Sequence, residues 1–299
     1  MEYIVVNDLK SEDMQRGASL TLEAYLESCP DSYTYVRSHE LKEFMIKPET
    51  DFLILGNTTR LDPNLAQWII NKCHYVKINF DYNYCVIRNP HIHNLAYGGN
   101  VTYNGELGEY LRRSECHCDM SIGNIQADLI KNAEMNFFMS HEQKNEFKKV
   151  FPKLKSYVSH SCFDSQSLNS FLNLDVYKKN EKALIWNSMD YIKGVQNAIE
   201  YCNSNSIEYT LVNDIRHEEM LEKMAEHKYV VFMPNAWDTA PRLTIEAKML
   251  GCKVITNNHV QHARETWWGF GIEETHIFLK DLPTKFWNKI EEINCYEND

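Results

Sequence analysis

The chain has 299 residues, 43% of them hydrophobic, which is apolar material for two globular domains of ordinary size. Its formal net charge of -11 repels polyanions on average, so a nucleic-acid or phosphate partner needs a local positive patch. Nine cysteines, an odd number without tight paired spacing, argue against a disulfide framework. The opening run MEYIVVNDLKSED turns acidic as no signal peptide does, and no apolar run is long enough to cross a bilayer, so a cytoplasmic setting without membrane insertion is expected.

Short β-branched or aromatic runs alternate with helical patterns from the start. The pattern predicts strands over Tyr3–Val6, Tyr33–Arg37, Asp51–Leu55 and His74–Phe80, with helices over Ala18–Ser28, Leu41–Ile46 and Leu61–Lys72 between them. Periodicity is lost from Asp81 to Glu106, a functional-loop candidate. A helix over Asn124–Ala133, a strand over Met135–Met139, a helix from the Ser140 cap to Val150 and a strand over Ser156–His160 complete a first domain, taken as 1–163. Asp164 to Glu181 has no clear period and reads as a connection into a second domain, 164–299. There the alternation resumes: strand Ala183–Trp186, helix Gly194–Cys202, strand Tyr209–Val212, helix Glu218–Ala225, strand Tyr229–Met233, helix Pro241–Leu250, strand Val254–Thr256. A last helical run, Thr284–Ile293, is expected to pack back on the first domain. The fold class is α/β, two Rossmann-like parallel-sheet domains facing one another across a cleft.

The stretch FMPNAWDTAPRLTIEAKMLGCKVITNN carries the densest chemistry. In a strand, loop, helix, strand unit the loop opens at the carboxyl edge of the sheet, and the helix N-terminus offers free N–H groups and a positive dipole end. Asp238 lies in that loop and Glu246 within the helix, so both carboxylates can face the space over the sheet edge and accept hydrogen bonds from the vicinal hydroxyls of a sugar. The N–H groups around Arg242 and Leu243 suit a diphosphate. The competing reading makes Asp238 a turn residue and pairs Glu246 with Lys248 or a surface lysine.

The run DTAPRLTIEAKMLGCKVIT resembles the signature of the large retaining glycosyltransferase family with the GT-B fold: an acid, seven residues, a glutamate, then an Ala-x-x-x-Gly helix end and a strand. WNSMDYIKGVQNAIEYC resembles that family's strand, Lys-Gly loop and helix, and VNDLKSEDMQRGASLTLEAYLES its first strand, glycine-bearing loop and helix. The resemblance implies that Glu246 binds the donor ribose, that Asp238 binds the transferred sugar and that Lys193 neutralises the diphosphate leaving group. It also implies that Gly17 lets the backbone approach the phosphate. The donor is then a nucleotide-diphosphate sugar, a substrate rather than a cofactor, and lysine plus helix N–H groups take the place of a metal.

Several positions depart from the family pattern. Aspartate stands where the family usually has a first glutamate, Pro241 replaces a glycine, and Asn187, Ser188 and Met189 occupy the place of the family's arginine, for which Arg242 is the substitute cation inferred here. Phe80 takes the position of an acceptor-side histidine, leaving Asp81 as the acceptor contact, with Tyr82, Tyr84, Arg88, His91 and His93 available to line a site. His91 with His93, and Cys116-His117-Cys118 with Asp119, raise metal binding, but neither has a second pair at zinc-site spacing, so no metal is expected. The run HEQKNEFKKVFPKLK is locally basic, yet Glu142 and Glu146 among its lysines read as a solvated, salt-bridged helix face.

These residues lead to a glycosyltransferase acting on a hydroxyl of a glycan, lipid or small molecule. Abundant lysine, asparagine and tyrosine suit an AT-rich genome, a viral one included, where the setting is the host cytoplasm and the acceptor a hydroxymethylated DNA base; the net charge weighs against DNA. A non-catalytic nucleotide-sugar-binding protein is the rival from another class.

Overall fold

A computed structural model describes residues 2–13, 17–85, 87–97, 124–173, 179–213 and 215–295. The chain divides into two compact units, Met1–Cys162 with Leu282–Asp299, and Phe163–Asp281.

In the first unit β1 (Glu2–Asn7), β2 (Tyr33–Arg37), β3 (Asp51–Leu55), β4 (His74–Asn79), β5 (Asn136–Phe138) and β6 (Ser156–Val158) form a six-stranded sheet in the order β2-β1-β3-β4-β5-β6. Each described pairing is parallel. Helices cover both faces of such a sheet, so its strands read as continuous apolar runs: all five residues of β3 and the last five of β1 are buried. The crossovers are α1 (Gly17–Leu26), α2 (Pro63–Lys72), α3 (Pro90–Tyr97), α4 (Ile125–Asn132) and α5 (His141–Val150). Local chemistry starts them where the sequence indicates. Asp62 accepts from the N–H groups of Asn64 and Leu65 ahead of Pro63, and Ser140 accepts from that of Gln143. Along α5 the basic face carries a Lys149–Glu146 pair at 2.6 Å while Phe147 is buried.

The second unit holds α6 (Ser165–Asn173), β7 (Asn180–Trp186), α7 (Val195–Ser204), β8 (Tyr209–Val212), α8 (His217–Glu226), β9 (His227–Phe232), α9 (Arg242–Met249) and β10 (Lys253–Thr256). Its sheet is four-stranded and parallel, in the order β10-β9-β7-β8. The last helix, α10 (Ile272–Cys295), ends within the first unit, where Phe286 stacks on Tyr25 at 4.2 Å and the Trp287 indole N–H donates to the Tyr25 carbonyl at 2.7 Å.

Four segments differ from the sequence expectations. The stretch from Asp81 contains α3, which enters through Asn89 and Pro90. The expected connection contains α6: the Asp164 carboxylate caps it by accepting from the Ser167 N–H, and Leu168 and Phe171 give it a buried stripe that the surrounding serines and asparagines hide. Between Leu41 and Ile46 only a single 3₁₀ turn forms, Glu43–Met45. Finally, α10 runs through Pro283 and starts well before Thr284, because Leu282, Phe286 and Ile290 are buried along one stripe and packing outweighs the proline.

Candidate functional site

In the second sheet β7 has β8 on one side and β9 on the other, so the chain reverses its direction of winding between β7 and β9. Loops leaving the carboxyl ends of the two central strands at such a point diverge and leave a crevice where ligands of doubly wound sheets bind. The loop after β7 turns through a 3₁₀ helix, Tyr191–Lys193, which Asp190 caps by accepting from the Ile192 N–H at 2.9 Å. Gly194 follows at φ 62°, ψ 39°, the left-handed region that costs glycine nothing. This turn presses on the loop after β9. The Asn235 N–H donates to the Ile192 carbonyl at 2.9 Å, the Asn235 amide donates to Tyr191 at 2.6 Å, and the Asn197 amide donates to the Asn235 amide oxygen at 2.7 Å.

That seam brings the Lys193 Nζ to 2.8 Å from Asp238 Oδ2. Asp238 is held from behind as well: its N–H donates to the His259 carbonyl and its carbonyl accepts from Gln261, a short parallel bridge that continues the β9–β10 pairing beyond the strands. Burial pushes the Lys193 ammonium toward neutrality, but the adjacent Asp238 outweighs it, so the net direction is upward and the lysine stays charged.

Beyond Asp238, Pro241 stands at the N-cap of α9 and makes no side-chain cap hydrogen bond to it. The Thr244 hydroxyl is turned inward onto the Pro241 carbonyl and the His262 ring, at 2.8 and 2.9 Å, so it does not cover the helix start. The first-turn N–H groups of Arg242 and Leu243 therefore sit at a positive dipole end beside the Lys193–Asp238 pair.

One turn further, Glu246 is 4% exposed, too buried for an unpaired carboxylate. Its Oε1 receives the His217 Nε2 at 3.0 Å and lies 3.7 Å from the Arg242 Nε. The Arg242 guanidinium is buried and stacks on the Phe163 ring, 3.8 Å from its centroid, so this residue is part of the packed site and not of a solvated helix face. Lys248 turns away from Glu246, donating to the carbonyls of Trp268 and Phe270 at 3.0 and 2.6 Å. The hydrogen bond to Glu246, the largest influence, raises the His217 pKa against burial and Arg242.

The structure thus brings Lys193, Asp238, Arg242, Leu243 and Glu246 to one edge of the second sheet. Sequence reasoning missed His217 and Phe163. His217 opens the helix after β8, so the rule that marked the loops after β7 and β9, ligands at the carboxyl edge, also reaches this position. Phe163 gives no local signal.

Gly17 and Asp81 lie in the first unit. Gly17 is the first residue of α1 and is exposed. Asp81 follows β4 and is paired with Arg88, whose φ of 56° is unusual for a non-glycine residue, and one carboxylate oxygen of Asp81, Oδ1, is buried without a hydrogen-bond partner among the described residues. Tyr82 and Tyr84 are both buried, with their rings packed against Phe147 at 5.3 and 5.1 Å. Nearby, the carboxylate of Asp8 at the end of β1 accepts from Ser38, Thr59 and the Arg60 N–H, and the fully buried Lys77 donates to the Gly56 carbonyl and, at 3.1 Å, to the Thr58 hydroxyl. His93 is buried, and burial lowers its pKa. Cys116, His117, Cys118 and Asp119 lie outside the described residues, among which no group of three or more His, Cys, Asp or Glu residues could hold a metal ion. No helix among the described residues is long and apolar enough to cross a membrane.

No protein-family model and no curated protein sequence matches the chain. Solved structures do. The chain is similar to a trehalose-6-phosphate synthase, OtsA, with TM-score 0.57 and 8% identity over 100% of this chain and 98% of that one. It is also similar to HepE of Anabaena in complex with UDP, with TM-score 0.50 and 12% identity over 94% and 89% of the two chains. An alpha-glucosyltransferase in complex with UDP and a 13-mer DNA containing an HMU base matches at TM-score 0.49 and 11% identity over 100% and 91%, too low a score to bear on the fold. The fold is GT-B, with two parallel-sheet Rossmann-like units, and it is shared with solved glycosyltransferase structures.

Proposed function

We propose that the chain is a retaining glycosyltransferase that moves a sugar from a nucleotide-diphosphate sugar to the hydroxyl of a glycan, lipid or small molecule. The observation that carries this reading is the Lys193–Asp238 pair, 2.8 Å apart beside the start of α9 at the switch point of the second sheet. This edge of the second sheet offers each part of such a donor a partner. Lys193 and the N–H groups at Arg242 and Leu243 take the diphosphate, Asp238 accepts from hydroxyls of the sugar, and Glu246 accepts from the ribose.

In the reaction the bond between the anomeric carbon and the phosphate oxygen breaks and a bond to the acceptor oxygen forms. The acceptor hydroxyl gives its proton to the departing phosphate oxygen, and a nucleoside diphosphate leaves. Negative charge grows on the departing oxygens, and preorganised donors stabilise it more than they stabilise the ground state. Arg242, fixed by Glu246 and Phe163, is proposed as the second cation, Gly17 as a point of close backbone approach to phosphate, and Asp81 as the acceptor contact. No divalent cation is required in this scheme, because the protein supplies the positive charge. Retention follows from the resemblance of the DTAPRLTIEAKMLGCKVIT run to the retaining family.

A thermal-shift panel of nucleotide sugars in the presence of EDTA tests the reading. At a hundredfold its dissociation constant a cognate donor adds about 2.7 kcal/mol of stability, a rise of several degrees. No shift with any donor contradicts the assignment, and a shift only after manganese or magnesium is restored moves the phosphate role to a metal.

A further inference from the structure

Glu246 is the most buried carboxylate of the site, and its two oxygens differ. Oε1 is held by the His217 Nε2 at 3.0 Å and faces the Arg242 Nε at 3.7 Å, whereas no described residue donates to Oε2, which is nonetheless not sealed from solvent. A carboxylate has lone pairs for about four hydrogen bonds. Holding one oxygen between the His217 imidazole and the Arg242 guanidinium fixes the plane of the group and leaves the other as a directed acceptor. Such an oxygen recognises vicinal O–H groups and repels phosphate.

The clamp is itself supported. Arg242 cannot swing away, because its guanidinium lies 3.8 Å from the Phe163 centroid with the side chain buried. His217 is the first residue of α8, while Glu246 sits mid-way along α9, and the two helices pack together. The imidazole therefore reaches Glu246 across a helix pair, which ties the orientation of the carboxylate to the packing of the two helices. Arg242 alone leaves the carboxylate with one distant cation and freedom to rotate.

We propose that His217 is a positioning residue of the donor site, which orients Glu246 so that its Oε2 accepts from the 2′- and 3′-hydroxyls of the nucleoside and thereby makes the site selective for ribonucleotides. The inference rests on the reading of this edge as a nucleotide-sugar site. It adds a residue that touches no substrate and a specificity that it controls.

Calorimetric titration with UDP, ADP and GDP, each beside its 2′-deoxy and 3′-deoxy analogue, tests it in the full chain. The wild-type protein is expected to bind at least one ribonucleoside diphosphate and to bind its deoxy analogues about ten- to a hundredfold more weakly, the range for hydrogen bonds to a charged group. His217→Phe, which keeps a ring but no donor, is expected to lose ribonucleotide affinity while binding of the deoxy analogues holds, so that the ratio falls toward one. His217→Gln, which restores an N–H, is expected to recover most of the ratio. A wild-type ratio in a folded His217→Phe protein overturns the assignment and leaves the donor site standing, and an equal loss for ribo- and deoxynucleotides overturns it in favour of a structural role. Absence of binding by every diphosphate overturns the donor site and this inference with it.

Discussion

A β-carbon on Gly194 would stand 1.9 Å from the backbone oxygen of Met233, and the glycine itself adopts the left-handed φ of 62°. The turn after β7 thus lies directly against the end of β9, and that contact is what carries Lys193 to Asp238. Gly194→Ala is expected to destabilise the second unit by at least about 1–3 kcal/mol, since both the backbone conformation and the contact resist a side chain. Denaturant unfolding measures it. A variant as stable as the wild type means that the turn is free to move and that Lys193 is not preorganised.

Lys193 and Arg242 are expected to act as a unit on one diphosphate. Each single alanine change costs about 2.7–4 kcal/mol of transition-state stabilisation, the range for removing one preorganised donor to a developing charge, and the double change costs less than the sum. Ratios of kcat/KM across the four proteins give the coupling. If Arg242→Ala keeps wild-type turnover while Lys193→Ala abolishes it, Arg242 serves Glu246 alone.

Asp81→Asn is expected to lower turnover at saturating donor and to leave donor affinity unchanged, because Asp81 lies in the first unit while the side chains proposed to bind the donor lie in the second. Steady-state kinetics with direct donor titration separates the two effects. Weakened donor binding with intact transfer assigns the residue to the wrong substrate.

Lys77 gives stability an unusual dependence on pH. Its complete burial lowers its pKa from 10.5 to about 7, the largest influence, against the nearby Asp8 and Asp81. Between pH 7 and 10.5 the unfolded chain holds a proton that the folded chain lacks, so the unfolding free energy contributed by this group rises with pH, by about 1.4 kcal/mol per unit. Below the folded value both states are protonated and the slope disappears. Lys77→Met is expected to remove this slope from unfolding curves taken between pH 7 and 9, and an unchanged slope excludes Lys77 as its source.

Both sheets were legible because parallel strands covered on two faces read as apolar runs, as in Phe52–Leu55 and Tyr229–Phe232. Lys193, Asp238 and Glu246 were legible for a related reason: each follows such a run at a spacing that places it over the sheet edge. His217 and Phe163 were not, since their partners Glu246 and Arg242 are remote in sequence and only the packing of α8 and α6 against α9 unites them. Helix α6 was hidden by serines and asparagines of weak helix propensity whose formation depends on the Asp164 cap and two buried residues. For the tyrosines after β4 the sequence showed only polar tips, whereas the structure adds that their rings belong to a core built around Phe147.

The measurement that tests glycosyl transfer most directly is mass spectrometry of reactions containing a stabilising donor and a mixture of glycan, lipid, small-molecule and hydroxymethylated-DNA acceptors, run in parallel with wild-type and Lys193→Ala protein. The account predicts release of the nucleoside diphosphate, with one acceptor gaining the mass of the sugar, by the wild-type protein alone. A donor that binds yet yields neither free nucleotide nor free sugar nor a glycosylated acceptor makes this chain a binding protein and contradicts the account.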